Sequence, residues 1–244
     1  RTNLLKWARG LDSFDAPRLQ MGDPLHSRPE LVTYDGNTTP IESTIFFGTN
    51  EGALHAVDIN TGIEQFSFVP KELLGNLNTY FVNASVDPRP YGLDGGLTLW
   101  TKDVNKDCDL KDSGEFARLY VGMRRGGRNY YALDVTDVTT PKLLWQITGG
   151  SGDFADLGQT WSEPVKSKVY MKETPSSTAA TYDVLIFGGG YDSDQDSATV
   201  RTADDVGNAI YIVNAETGAL LWSGGKTGHD ENFTDMKYSI PSDI

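Results

Sequence analysis

TIFFGTNEGALHAVDINTGIEQFSFVP, residues 44–70, holds three short apolar runs separated by two turns. Its centre, ALHAVD, alternates with a period of two, as do YYALDV and AIYIVN in the stretches below, the mark of a half-buried β-strand. Thr61-Gly62 supplies the turn that follows, because glycine adopts the positive φ that a tight hairpin needs. The same grammar recurs in RLYVGMRRGGRNYYALDVTDVTTPKLLWQI, residues 118–147. It recurs again in DVLIFGGGYDSDQ, residues 183–195, resumed after an insertion by GNAIYIVNAETGALLWSGG, residues 207–225. In each copy one strand ends in Gly, the next ends in Asp58, Asp134 or Asn214, and a third carries Phe66, Trp145 or Trp222. A unit this small cannot bury both its faces alone. The units must therefore stack, with the aromatic residues packed between neighbouring sheets.

Small sheets stacked radially form a β-propeller. The expected fold is thus all-β, a partial β-propeller. Asp58 and Asp134 are 76 residues apart and Asp134 and Asn214 are 80 apart. A standard blade takes roughly 40–50 residues, so long insertions lie between the blades. A propeller closes with about four or more blades, which places the remaining blades beyond Ile244. A β-sandwich is the alternative. Residues 1–43 read as a lead-in, and residues 44–244 as the first blades of a propeller truncated at its C-terminus. TNLLKWARG, residues 2–10, is the one stretch expected to be helical, with Leu4, Leu5 and Ala8 on one face and Gly10 as its stop. MGDPLHSRPELV, residues 21–32, is broken by proline and reads as extended.

The 244 residues carry 34 acidic against 21 basic side chains, a net charge of −13, which argues against general nucleic-acid or anionic-membrane binding. Such a surface suits a protein that meets cations. Cys108 is the only cysteine, so no disulfide forms within the chain. No apolar run approaches the roughly 18 residues of a membrane span.

The acidic charge is concentrated in TKDVNKDCDLKDSGEF, residues 101–116, between the strands LTLW and ARLYVG. A hard cation such as Ca²⁺ takes six to eight oxygen ligands. The pattern D-x-[DN]-x-[DN] is the usual opening of a loop that supplies them. Asp103, Asn105 and Asp107 fill its first, third and fifth positions, and Asp109 the seventh. Cys108 stands where glycine is usual, so a residue with a Cβ must make the sharp bend. Asp112 is the expected closing ligand and Glu115 the alternative. Position twelve is Gly114, which rules out a helical calcium hand with its bidentate Glu. The competing reading is a solvated acidic turn, since Asp and Asn are ordinary turn residues.

Other polar features take plainer readings. YDSDQDSATVRTADD, with Asp192, Asp194 and Asp196, reads as a solvated insertion loop. His26, His55 and His229 have no metal-ligand spacing. His55 reads as structural and His26 as bonding locally. Arg124, Arg125 and Arg128 form a basic patch suited to internal ion pairs. Neither GGSGDF nor FGGGYD matches a nucleotide-binding loop.

MGDPLHSRP, FFGTNEGALHAVDINTG, YGLDGG, LYVGMRRGGRNYYALDVT and DVLIFGGGYD together resemble the C-terminal propeller domain of the PilC/PilY family. These are type IV pilus tip-associated biogenesis factors and adhesins of Gram-negative bacteria. The resemblance implies a modified quinoprotein-like propeller of seven blades, of which this chain is the first part. It implies a non-enzymatic, calcium-binding module that favours pilus extension over retraction and serves twitching motility, host attachment and virulence. It places the protein outside the cytoplasm, at the pilus tip, outer membrane or cell surface, with minor pilins, the pilus machinery and host cells as partners. The family's loop of this kind carries ligands at positions one, three, five, seven and nine. Here position nine is Lys111, with Asp112 after it. Two other functions fit parts of the pattern. AVDINTGIEQF approaches the repeat of quinone-dependent dehydrogenases, though a single cysteine cannot form the adjacent-Cys disulfide found over the quinone in some of them, and no quinone is expected. A metal-free structural propeller is the other.

Overall fold

The computed structural model describes residues 2–83, 85–173 and 176–244. Among the described residues three separate sheets follow one another in sequence order, each built on four antiparallel strands. The first contains β1 (Glu30–Asp35), β2 (Glu42–Gly48), β3 (Leu54–Asp58) and β4 (Glu64–Phe68), each strand paired with the next. The second repeats this arrangement with β5 (Leu97–Lys102), β6 (Phe116–Gly122), β7 (Tyr130–Asp134) and β8 (Lys142–Ile147). The third contains β9 (Val165–Met171), β10 (Ala180–Gly188), β11 (Ala209–Asn214) and β12 (Leu220–Gly225), with a two-residue β13 (Glu231–Asn232) added in parallel at its edge. The three strands of the sequence repeat are the second to fourth of each sheet. The first strand of each sheet falls outside the repeat, and β1 lies within the stretch read as a lead-in.

The repeat extends to the hydrogen bonds. The pairing register slips at Ala56/Val57, Ala132/Leu133 and Ile212/Val213, each time beginning two residues before the repeat's polar position. At that position Asp58 accepts hydrogen bonds from the Asn60 and Thr61 amides, Asp134 from the Thr136 amide, and Asn214 from the Glu216 and Thr217 amides. A short side-chain acceptor here replaces the partner that the turning backbone has lost. Gly62 and Gly218 complete their turns at φ +70 and +73.

The sheets pack face to face, and the second lies between the other two. Leu119, Val121, Tyr131 and Leu133 share a core with Val32, Phe46 and Leu54 of the first sheet. From the opposite face, Tyr120, Tyr130, Ala132 and Trp145 share a core with Leu185, Phe187 and Tyr211 of the third. The alternation in YYALD therefore sends side chains to opposite faces, but both faces are buried. This corrects the half-buried reading of that strand. Two hydroxyls cross the joints in matching fashion. Tyr34 donates to the Val135 carbonyl at 2.7 Å and Tyr120 to the Ala215 carbonyl at 3.0 Å, each just past the turn aspartate or asparagine. At Gly126 the backbone comes so close to the Gly92 carbonyl that any Cβ would overlap it.

The N-terminal helix is present as α1 (Thr2–Ala8), and Gly10 follows at φ +74. A second helical stretch was not anticipated. A 3₁₀ turn over Lys71–Asn76 leads into α2 (Leu77–Phe81), and Phe81 meets Trp7 edge to face at 6.2 Å. Pro70 immediately before this turn was the available sequence signal, since proline suits the start of a helix.

The second acidic stretch is not simply solvated. Asp192 and Asp204 are 3% and 2% exposed. Asp192 accepts from the Asp194 and Asp205 amides, and Asp204 from Ser239. Asp196 makes a two-pronged ion pair with Arg125, at 2.8 and 3.1 Å, as the ion-pair reading of the basic patch expected. Hydrogen bonds from Arg125 and then Tyr191 hold the Asp196 carboxyl below its ordinary range. A carboxyl lowered in the folded state stabilises above its unfolded value, about pH 3.9, and loses that contribution as pH falls through the lower folded value. Arg125→Met should therefore be less stable than wild type in urea at about pH 6, with the gap narrowing at about pH 2.5. A gap of equal size at both pH values would show that the charge pair is not its source.

Candidate metal centre

The acidic loop joins β5 to β6, whose register closes at Lys102 opposite Phe116. Its alternation has a local cause. Asn105 accepts from the Asp107 amide, Asp107 from the Asp109 amide, and Asp109 from the Lys111 amide, each side chain bonding the backbone two residues on. Asp103 anchors the start, taking the Lys106 and Cys108 amides on its two oxygens. Lys106 and Cys108 adopt φ of +62 and +67. Cys108 thus makes the left-handed bend that glycine usually makes, at the steric cost its Cβ implies.

These turns bring three carboxylates together. Asp103, Asp107 and Glu115 each offer an oxygen, all within 4.8 Å of one another. Glu115 is 7% exposed and accepts from the Val104 amide on one oxygen and the Asp112 amide on the other. It ties the two ends of the loop. Oxygens 2.3–2.6 Å from a calcium ion span a sphere about 5 Å across, so this spacing fits one ion. The donors are all anionic oxygens with no imidazole or thiolate, a set suited to a hard cation such as Ca²⁺ or Mg²⁺. Among the described residues no other group of three or more His, Cys, Asp or Glu side chains is so placed.

The five residues read from the sequence separate into two sets. Asp103 and Asp107 lie in the group. Asn105 turns its amide nitrogen to Asp107 at 3.0 Å and Asp112 at 2.8 Å, which braces the carboxylates. Asp109 and Asp112 lie outside the group of three, and Glu115, the alternative closing residue, lies in it. Glu115 directly precedes β6, and the start of a strand is held more firmly than the middle of a turn. That was the signal in its favour.

The histidines have other partners. His26 reaches the fully buried Asp94 at 2.9 Å, 68 residues away, where a local bond was expected. Arg124 joins the same carboxylate at 3.1 Å and lies over the Trp161 ring. His55 is structural, stacked on Phe47 and bonded to Glu64. His229 pairs with Asp156.

No family model matches the chain. Over 228 residues it is 27% identical to the type IV pilus biogenesis factor PilY1 of Pseudomonas aeruginosa strain UCBPP-PA14, covering 84% of this chain and 18% of that protein. Over 212 residues it is 31% identical to a PilY1 homolog of Xylella fastidiosa strain Temecula1, covering 83% of this chain and 15% of that protein. Among solved structures, the crystal structure of the Pseudomonas aeruginosa PilY1 C-terminal domain aligns with a TM-score of 0.49 and 24% identity, over 77% of this chain and 31% of that one. The chain spans less than a fifth of the length of the curated relatives it matches.

Proposed function

From the premise that this chain is a relative of the PilC/PilY type IV pilus biogenesis factors, we propose that it is a non-enzymatic module of type IV pilus assembly. The observation that carries this is the match to PilY1 proteins over more than four-fifths of the chain. In this reading the three stacked sheets are the first blades of a propeller, and the propeller is part of a longer exported protein at the pilus. Its partners are the pilus machinery and minor pilins, with host-cell surfaces as a further target. No helix among the described residues is long and apolar enough to cross a membrane.

Calcium is the proposed ligand of the acidic loop, held by Asp103, Asp107 and Glu115, with Asn105, Asp109 and Asp112 around them. The donor chemistry supports this. A bound ion would supply the positive charge that offsets repulsion among three carboxylates. Exported calcium modules bind at about 10⁻⁴–10⁻³ M, so occupancy would follow the calcium level outside the cell and bias the pilus toward extension.

The test is complementation. In a piliated bacterium lacking its own copy, the full-length protein should restore surface pili and twitching. The same protein with Asp107→Ala should restore pili with altered calcium dependence of twitching. If the full-length protein restores neither pili nor twitching to a strain that has lost both, the pilus assignment fails. If Asp107→Ala behaves as wild type at every calcium concentration, only the calcium part fails.

A further inference from the structure

The acidic loop does not stand free on its own sheet. Asp109 forms a bridge with Asp35 at the end of β1. The Gly36 amide donates to the Cys108 carbonyl and the Leu110 amide to the Tyr34 carbonyl, both at 2.8 Å. Asn37 Nδ2 donates to the Asp107 carbonyl at 2.8 Å. Lys111 Nζ reaches Glu42 at 2.7 Å and Asp35 at 3.6 Å. Between these polar contacts Leu110, 5% exposed, enters the core shared by the first two sheets, beside Val32 and Tyr34. A loop that belongs by sequence to the β5–β6 hairpin thus continues the pairing of the first sheet's β1.

We propose that residues 103–115 form a seam between the first and second sheets, that a cation on Asp103, Asp107 and Glu115 tightens it, and that Asn37 is a positioning residue of the site. The inference rests on the calcium reading above. Asp107 links the two sides: its carboxylate belongs to the group of three, and its carbonyl is held from the first sheet by Asn37. Cys108, next in the chain, hands its carbonyl to Gly36 and its amide to Asp103. Cation binding and sheet docking therefore act on the same few backbone atoms. Coupling between them is reciprocal: whatever the ion adds to the seam, the seam adds to ion affinity. Asn37 lies in the turn between β1 and β2 of the first sheet, 66 residues before Asp103.

The experiment combines calcium titration calorimetry with site-resolved hydrogen exchange on wild type, Asn37→Ala and Asn37→Leu. Asn37 is exposed, so both variants keep the core. Calcium should slow exchange at the Gly36 and Leu110 amides. Asn37→Ala should weaken calcium binding about two- to tenfold, the worth of one hydrogen bond. Asn37→Leu, of similar size but unable to donate to the carbonyl, should weaken it about as much, which a purely space-filling role would not. If calcium binds but neither amide responds and both variants bind as wild type does, the seam is overturned while the metal reading stands. If wild type binds no calcium, the metal reading fails and the coupling with it.

Discussion

Trp145→Ala is expected to destabilise the protein by about 3–5 kcal/mol, the range for truncating a large buried aromatic residue. For a domain of this size that lowers Tm by roughly 2–4 °C per kcal/mol. Trp145 belongs to the second sheet but is held by the third. Its indole lies over Gly218, close enough that a Cβ there would press on the ring. Its Nε1–H donates to the Ala215 carbonyl at 3.1 Å, and it packs against Tyr120 with ring centroids 5.6 Å apart. Removal leaves a void between two sheets, and the surrounding backbone turns cannot collapse into it. Trp222 holds the same place in the third copy of the repeat but is only half-buried. Measured on residues 1–244 alone, Trp222→Ala should therefore cost clearly less. Thermal or urea unfolding of both variants decides the point. Equal losses would mean that stacking between the sheets does not set the stability of the aromatic position.

Glu115→Gln is expected to abolish calcium binding at millimolar calcium, measured by titration calorimetry. Loss of a mere supporting partner typically lowers metal affinity 10–100-fold, and Glu115 has two parts to play. It is one of three converging carboxylates, and it ties Val104 and Asp112 across the base of the loop. The amide keeps the size and one acceptor oxygen but loses the charge. Asp112→Asn is the informative partner variant, because the Asp112 carboxylate reaches the group only through Asn105. It should bind calcium several-fold more weakly than wild type and far more tightly than Glu115→Gln. The reverse order would return the closing role to Asp112.

Much of the fold was legible because its signals are local. Strand alternation, turn glycines and the three polar positions Asp58, Asp134 and Asn214 each act within a few residues, and the structure repeats them down to the register slips. The first strand of each sheet escaped the repeat because its residues vary between copies and it contributes no shared turn. The second helical stretch, Lys71–Phe81, escaped because KELLGNLNTYF is short and has a glycine near its middle. The candidate site was half legible. Alternating Asp and Asn side chains cap their own backbone, so the opening of the loop is written in its sequence. Its closure depends on where β6 begins and how far Glu115 reaches back.

The amino-acid sequence by itself determined that three strand-rich units would stack, where their turns fall, and that one loop would gather negative charge. These follow from backbone hydrogen bonding and side-chain period over short distances along the chain. Only the tertiary structure decided which faces the stacking buries, and so why YYALD is covered on both sides. It decided that Glu115 joins Asp103 and Asp107, that Asp94 meets His26 and Arg124, and that Asn37 grips the acidic loop from another sheet. Those partners lie up to 70 residues apart in the chain, and no local pattern encodes a contact made only when separate sheets pack together.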